Sequence, residues 1–242
     1  MVDLDRVAEN YARMAKMVHW AGIFYAVKAN PAPQVIERLV ASGAAFDAAR
    51  WCEAVALCGE LFVRAADAGI SLEILTLGGG FPVSCGDGAV PEPGRVFEVI
   101  DQTIDAAFPG ARPRVILEPG SVIVANSGII RSEVILVADR AYDTTERWVY
   151  LDVGRYGGPA ESEGEAIRYR MDAVGCDGPR GPVVVGGPTC DSHDVMYENA
   201  MCTLPLALTA GDIVTLCDTG AYTSTYASVE FNGFAPLEEH YI

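Results

Sequence analysis

The chain has no run of about 18 consecutive apolar residues, the length a helix needs to cross a membrane, so a membrane-embedded protein is not expected. Basic residues are few: 17 Lys plus Arg stand against 33 Asp plus Glu, a net charge of −16 with a pI of about 4.5. That balance repels phosphate backbones and disfavours a nucleic-acid binder. No CxxC pair occurs among the seven cysteines (Cys52, Cys58, Cys85, Cys176, Cys190, Cys202 and Cys217), and the three histidines form no zinc-spaced cluster with them. No metal site is therefore expected, and the odd cysteine count reads as reduced thiols in a cytoplasmic protein. Repeats and low-complexity tracts are absent. Met1 to Arg13 is charged and helical in pattern, so no signal peptide is evident.

What is present is a chain of 242 residues, half of them hydrophobic, with a mean hydropathy of +0.21. This is enough for a sizeable core and argues against disorder. Helical spacing is found over residues 3–18, 33–42, 51–68 and 93–107. Apolar runs at Ile23–Val27, Ala44–Asp47, Leu72–Leu77 and Arg114–Leu117 read as strands. Helix and strand thus alternate through the first 120 residues, which predicts a parallel α/β layer. Beyond residue 121 the texture turns β-rich, with strands expected at Val122–Ala125, Ile129–Val137, Trp148–Val153, Val183–Val185 and Ile213–Leu216. We expect an α/β domain over residues 1–122 and a β domain over 123–242.

Polar residues collect where the α/β strands end, which is where ligands bind in parallel folds. Lys28 follows the first apolar run. Partial desolvation there would favour its free amine and Schiff-base chemistry, although a lysine can equally snorkel outward from a strand end. Asp47 ends the second strand. Gly78, Gly79 and Gly80 end the third and leave backbone N–H groups open to an anion such as phosphate. A plain strand-to-helix turn would use the same glycines. Glu118, held before Pro119-Gly120, could accept a hydrogen bond from a protonated ring nitrogen or could be a solvated turn acid. In the β-rich half, Gly187-Pro188-Thr189-Cys190-Asp191 places a thiol beside a carboxylate. Asp191, His193 and Asp194 lie on one loop, too few ligands for a metal. Gly220-Ala221-Tyr222 and Phe231-Asn232-Gly233-Phe234 add aromatic and polar groups that could equally be packing.

Phe24-Tyr25-Ala26-Val27-Lys28-Ala29-Asn30 resembles the cofactor-lysine motif of the fold-type III, alanine-racemase-like decarboxylases. The order that follows is similar to that family as well: Phe46-Asp47-Ala48-Ala49, Leu77-Gly78-Gly79-Gly80-Phe81-Pro82, Glu118-Pro119-Gly120, Gly187–Asp191, Gly220-Ala221-Tyr222 and Phe231–Phe234. Cys190-Asp191 resembles the ornithine or ornithine/lysine decarboxylases, whereas diaminopimelate decarboxylases usually carry Cys-Glu. The resemblance implies a (β/α)8-type barrel followed by a β domain, and pyridoxal 5'-phosphate as cofactor. It implies that Lys28 carries the Schiff-base link, with Asp47 nearby, and that Glu118 pairs with the pyridine nitrogen. Gly78, Gly79, Gly80, Gly120 and Tyr222 would cradle the phosphate, and Cys190 would donate a proton. Asp191, supplied across a homodimer interface, would hold the distal ammonium of a diamino acid. The implied activity is decarboxylation of ornithine or lysine to a diamine, a step of polyamine biosynthesis. Another fold-type III enzyme or a non-catalytic binding relative are the alternatives.

The chain also departs from the family. Eight βα units need about 250 residues, yet only about 120 precede the β-rich half. Between Asp47 and Leu72 there is room for one helix, and the family's His-Val-Gly-Ser type motif is absent. We therefore expect a shortened barrel with an internal deletion near Arg50-Trp51-Cys52. Ser121 stands where the family often has Arg, and Tyr169-Arg170 stands where eukaryotic ornithine decarboxylases have Tyr before an acid.

Overall fold

The computed structural model describes residues 1–26, 29–40, 52–83, 93–140, 146–199 and 201–242. The expected strand at Ala44–Asp47, together with Val27, Lys28 and Asp47 themselves, lies outside these residues. The chain divides into two compact units. An α/β unit holds the described residues of 4–83 and 93–124, and a sheet unit holds residues 1–3 and the described residues of 125–242.

In the α/β unit the elements are α1 (Leu4–Met17), β1 (Gly22–Ile23), α2 (Pro33–Val40), α3 (Cys52–Asp67), β2 (Ile74–Gly78), α4 (Pro93–Ala107), β3 (Arg114–Leu117) and α5 (Ser121–Val124). The three strands are parallel in the order β1-β3-β2, with Gly22 opposite Ile116 and Ile74 opposite Arg114. Helix α4 buries Phe97, Ile100 and Ile104, and α1 buries Val7, Tyr11 and Met14. Both sets follow the 3.6-residue period of a helix with one covered face. Leu75, Leu77, Val115 and Leu117 supply the buried side chains of β2 and β3. On helix α3, Val55 is covered, whereas Leu57, Leu61 and Val63 are exposed.

One expectation needs correction. Val122–Ala125 is not a strand: residues 121–124 form α5, and Ala125–Ser127 continue as a 3-10 turn. The Gly120 carbonyl accepts the Ile123 N–H at 2.9 Å, and the Asn10 side chain on α1 donates to the Ile123 carbonyl at 2.7 Å. Ile123 and Val124 are fully buried, so packing and these bonds override the β preference of a Val-Ile-Val run.

The sheet unit consists of β4 (Ile129–Arg140), β5 (Glu146–Leu151), β6 (Met171–Ala173), β7 (Arg180–Gly186), β8 (Val195–Met196), β9 (Cys202–Pro205) and β10 (Ile213–Cys217). The order is β6-β10-β4-β5-β7-β8, with β9 also paired to β7. All pairs are antiparallel except β5 with β7. Its core includes the fully buried Val134, Val149, Leu151, Val183, Val185, Val214 and Leu216, with Tyr169 and Tyr197 packed among them. A register shift between Val134 and Leu136 breaks the alternation of β4 and leaves both Ile135 and Leu136 half exposed. Parallel β5 and β7 require a long crossover. That connection, residues 152–179, includes a 3-10 turn at Ala160–Glu165.

Candidate active site

In the α/β unit, the ends of β2 and β3 lie side by side, Gly78 opposite Leu117. The Glu118 N–H donates to the Gly78 carbonyl at 2.8 Å. A Cβ on Gly79 would come closer than 3.0 Å to the Glu118 carbonyl oxygen, and Gly78 and Gly80 both have φ of +73°. Each of the three glycines thus has a steric reason to lack a side chain. Glu118 is only 2% exposed, so this is a buried carboxylate at the carboxyl end of a parallel strand, next to a glycine turn and a buried Gly120. The segment leading to Lys28 joins the same place: Ala26 N–H donates to the Pro119 carbonyl at 3.0 Å. A buried acid beside a bare backbone turn fits a cofactor that carries a basic ring nitrogen and a phosphate. The structure brings Gly78, Gly79, Gly80, Glu118 and Gly120 together. Lys28 and Asp47 are outside the described residues.

In the sheet unit, the loop Gly187–Asp194 between β7 and β8 is tied at several points. Asp194, 2% exposed, accepts from the Thr189 hydroxyl at 2.7 Å and from the Thr189 N–H at 3.2 Å. Its backbone carbonyl accepts the Gly187 N–H at 2.8 Å. Asn232 donates from its side chain to the Thr189 carbonyl at 2.8 Å, which fixes the Phe231–Phe234 motif to this loop. Cys190 is exposed and adopts a φ of +59°, a left-handed conformation uncommon outside glycine. Asp191 is half-buried, and its Oδ1 accepts from the His193 N–H at 2.8 Å and from the Tyr156 hydroxyl at 3.3 Å. Its Oδ2 takes no hydrogen bond among the described residues. Tyr156 stacks on Phe231 with ring centroids 4.2 Å apart. Desolvation, then the neighbouring Asp191 charge, raises the Tyr156 phenol above its ordinary pKa, so it stays a hydrogen-bond donor at neutral pH. A small cavity of about 50 Å³ lies beside these rings, lined in part by Thr189, Phe231 and Phe234.

Tyr222 belongs to a different group in this unit. It has a φ of +58°, and its ring lies 5.0 Å from that of Tyr226. Burial, with Tyr226 and Glu161 adding to it, pushes its phenol up to about 12. Sequence reasoning passed over Arg155 and Tyr156, and weighed Asp194 only as a metal ligand. Their roles arise because the β5–β7 crossover returns beside the Cys190 loop, and no local pattern signals that.

The chain thus carries a parallel α/β unit with a carboxylate and a glycine turn at its strand ends, and a sheet unit presenting a thiol–carboxylate pair. The chain belongs to the pyridoxal-dependent decarboxylase family: the family model described as "Pyridoxal-dependent decarboxylase, C-terminal sheet domain" matches residues 12–220. A lysine/ornithine decarboxylase of Selenomonas ruminantium is 33% identical over 182 residues, covering 75% of this chain and 44% of the relative. A diaminopimelate decarboxylase of Zymomonas mobilis is 30% identical over 169 residues, covering 70% and 38%. The crystal structure of a lysine/ornithine decarboxylase from Vibrio vulnificus, complexed with putrescine, shares the fold. Its TM-score is 0.82 at 22% identity, covering 100% of this chain and 93% of that one. The chain spans about half the length of the curated relatives it matches. The family resemblance read from the motif order is thereby established. No described helix is long and apolar enough to cross a membrane.

Proposed function

We propose that this chain is a pyridoxal 5'-phosphate-dependent decarboxylase of a basic amino acid, ornithine or lysine, and that its α/β unit is a shortened (β/α)8-type barrel. The observation that carries the substrate class is Asp191. One carboxylate oxygen is anchored by two donors, and the other is left for a cation. A held carboxylate with an unused acceptor selects a side-chain ammonium by charge and by hydrogen bonding.

Bound at the strand ends, the cofactor would supply an electron sink for the pair released as carbon dioxide leaves. The chain's residues have the following parts. Lys28 would attach the cofactor. Glu118, shielded from water, would pair with its ring nitrogen. The backbone of Gly78, Gly79, Gly80 and Gly120, together with Tyr222, would take the phosphate. Asp47 would help set the environment of Lys28. Cys190 would hold a proton at Sγ for the reaction, and Asp191 would anchor the far end of the substrate. Sharing of Cys190 and Asp191 between two copies of the chain in a homodimer, and a cytoplasmic setting, belong to the same proposal.

The test uses the scarcity of lysine. Only Lys16 and Lys28 occur in the chain, and Lys16 lies exposed on α1. Incubation with pyridoxal phosphate, borohydride reduction and peptide mapping are expected to place the adduct on Lys28, and Lys28→Ala is expected to abolish it together with diamine formation. An adduct spread over Lys16 and the N-terminus, or none, overturns the cofactor assignment. A panel of ornithine, lysine, arginine and diaminopimelate then decides the substrate. Preference for diaminopimelate would place the chain with its other set of relatives. Turnover of none of the four would favour a non-catalytic relative.

A further inference from the structure

Arg155 lies on the β5–β7 crossover, directly before Tyr156, and its side chain is only 14% exposed. One arm of its guanidinium donates to the His193 carbonyl at 2.9 Å. The other pairs with the Glu163 carboxylate at 2.6 Å. Its central carbon stands 5.5 Å from the Tyr156 ring centroid. A single planar cation therefore ties three pieces together: the loop carrying Cys190 and Asp191, the 3-10 turn at Ala160–Glu165, and the ring whose hydroxyl donates to Asp191. Glu163 sits where that turn is kinked. Its helical course breaks at Glu163 (φ −56°, ψ 132°) and Gly164 (φ +58°). The loop needs such a tie, because Cys190 holds a left-handed conformation with no glycine to relax it.

We propose that Arg155 is the positioning residue of the Cys190–Asp191 loop. Its bond to His193 fixes the loop from one side, and its packing on Tyr156 fixes the donor that orients Asp191 from the other. Glu163 pairs with the guanidinium arm that does not reach His193. A hydrogen bond from one arm and an ion pair from the other arm of a fixed fork are what arginine provides and lysine does not. This inference rests on the proposal that the loop presents the proton donor and the ammonium-binding carboxylate, but its first readout needs no turnover.

The readout is alkylation of Cys190 by iodoacetamide, mapped by peptide mass spectrometry, with Cys202 as internal reference. Cys202 lies in β9, and burial pushes its thiol up to about 11. Its alkylation therefore reports global opening of the fold. In Arg155→Met the Cys190 rate is expected to rise about fivefold or more while the Cys202 rate stays within twofold. Arg155→Lys, which keeps the charge but not the fork, is expected to fall between. Loss of a charge-assisted tie of this kind corresponds to about a tenfold change in an equilibrium. In turnover, Arg155→Met is accordingly expected to lower kcat/KM for ornithine or lysine about tenfold, chiefly through KM. A Cys190 rate unchanged in Arg155→Met, or Cys190 and Cys202 accelerating together, overturns the proposal. The second result would mean that Arg155 serves only the stability of the unit. If the wild-type chain turns over no substrate, the functional reading fails, and the alkylation ratio still decides the role of Arg155.

Discussion

Alanine at Gly154 is expected to destabilise the sheet unit by about 3 kcal/mol or more, enough to leave much of the protein unfolded at 37 °C. A Cβ there would lie 2.6 Å from the Asp194 carboxylate carbon, and Gly154 is buried. Gly187 approaches the same carboxylate, and a Cβ there would stand 2.5 Å from Oδ1. Asp194 cannot retreat. It is 2% exposed, and its Oδ2 serves both donors of Thr189. Its Oδ1 is buried and has no hydrogen-bond partner among the described residues. Any displacement would strip the Thr189 donors of their acceptor at a further cost of about 1–3 kcal/mol. Urea unfolding of Gly154→Ala, followed by far-UV circular dichroism, checks this. A midpoint equal to that of the wild type would show that the carboxylate moves freely and that the loop is not built around it. Gly110→Ala is the control, because nothing lies within 4 Å of a Cβ at that position.

The glycine contacts show where sequence reasoning reaches and where it stops. Helix α4 and strand β3 coincide with their predicted spans, residues 93–107 and 114–117, because an amphipathic period and an apolar run are local signals. The triple glycine at 78–80 was legible as a special turn. The close approach of Gly79 to the Glu118 carbonyl, its steric cause, depends on two strands 40 residues apart. Strands β6, β8 and β9 were not expected. They have three, two and four residues, and β9 ends in Pro205. Strands so short exist through partners far away in the chain and carry no period of their own. Val122–Ala125 failed for a related reason, since the β preference of its side chains was outweighed by contacts with α1. In the sheet unit, the thiol–carboxylate pair was visible as adjacent residues. The side chains that hold it, Arg155, Tyr156 and Asp194, come from a crossover and from the far end of the loop.

Exchange of Asp191 for asparagine is expected to lower kcat/KM for ornithine and lysine about 100-fold or more, while the protein unfolds within about 0.5 kcal/mol of the wild type. The substitution is nearly isosteric. An asparagine Oδ1 can still accept from Tyr156 and from the His193 N–H, which are 3.3 and 2.8 Å from the present carboxylate oxygen. The loop should therefore stay in place. What changes is the other oxygen. It becomes an NH2 group, which is a donor with no charge, facing where the proposal puts an ammonium. Two donors set against each other, without the attraction of opposite charges, reverse the interaction rather than merely weaken it. The loss should appear for side chains ending in a cation and be much smaller for an amino acid with a neutral polar end, so the selectivity between the two classes falls along with the rate. Formation of the borohydride-trapped adduct on Lys28 should be unaffected, since the proposal gives Asp191 no part in holding the cofactor. Retention of ornithine and lysine turnover within threefold would remove Asp191 from substrate recognition.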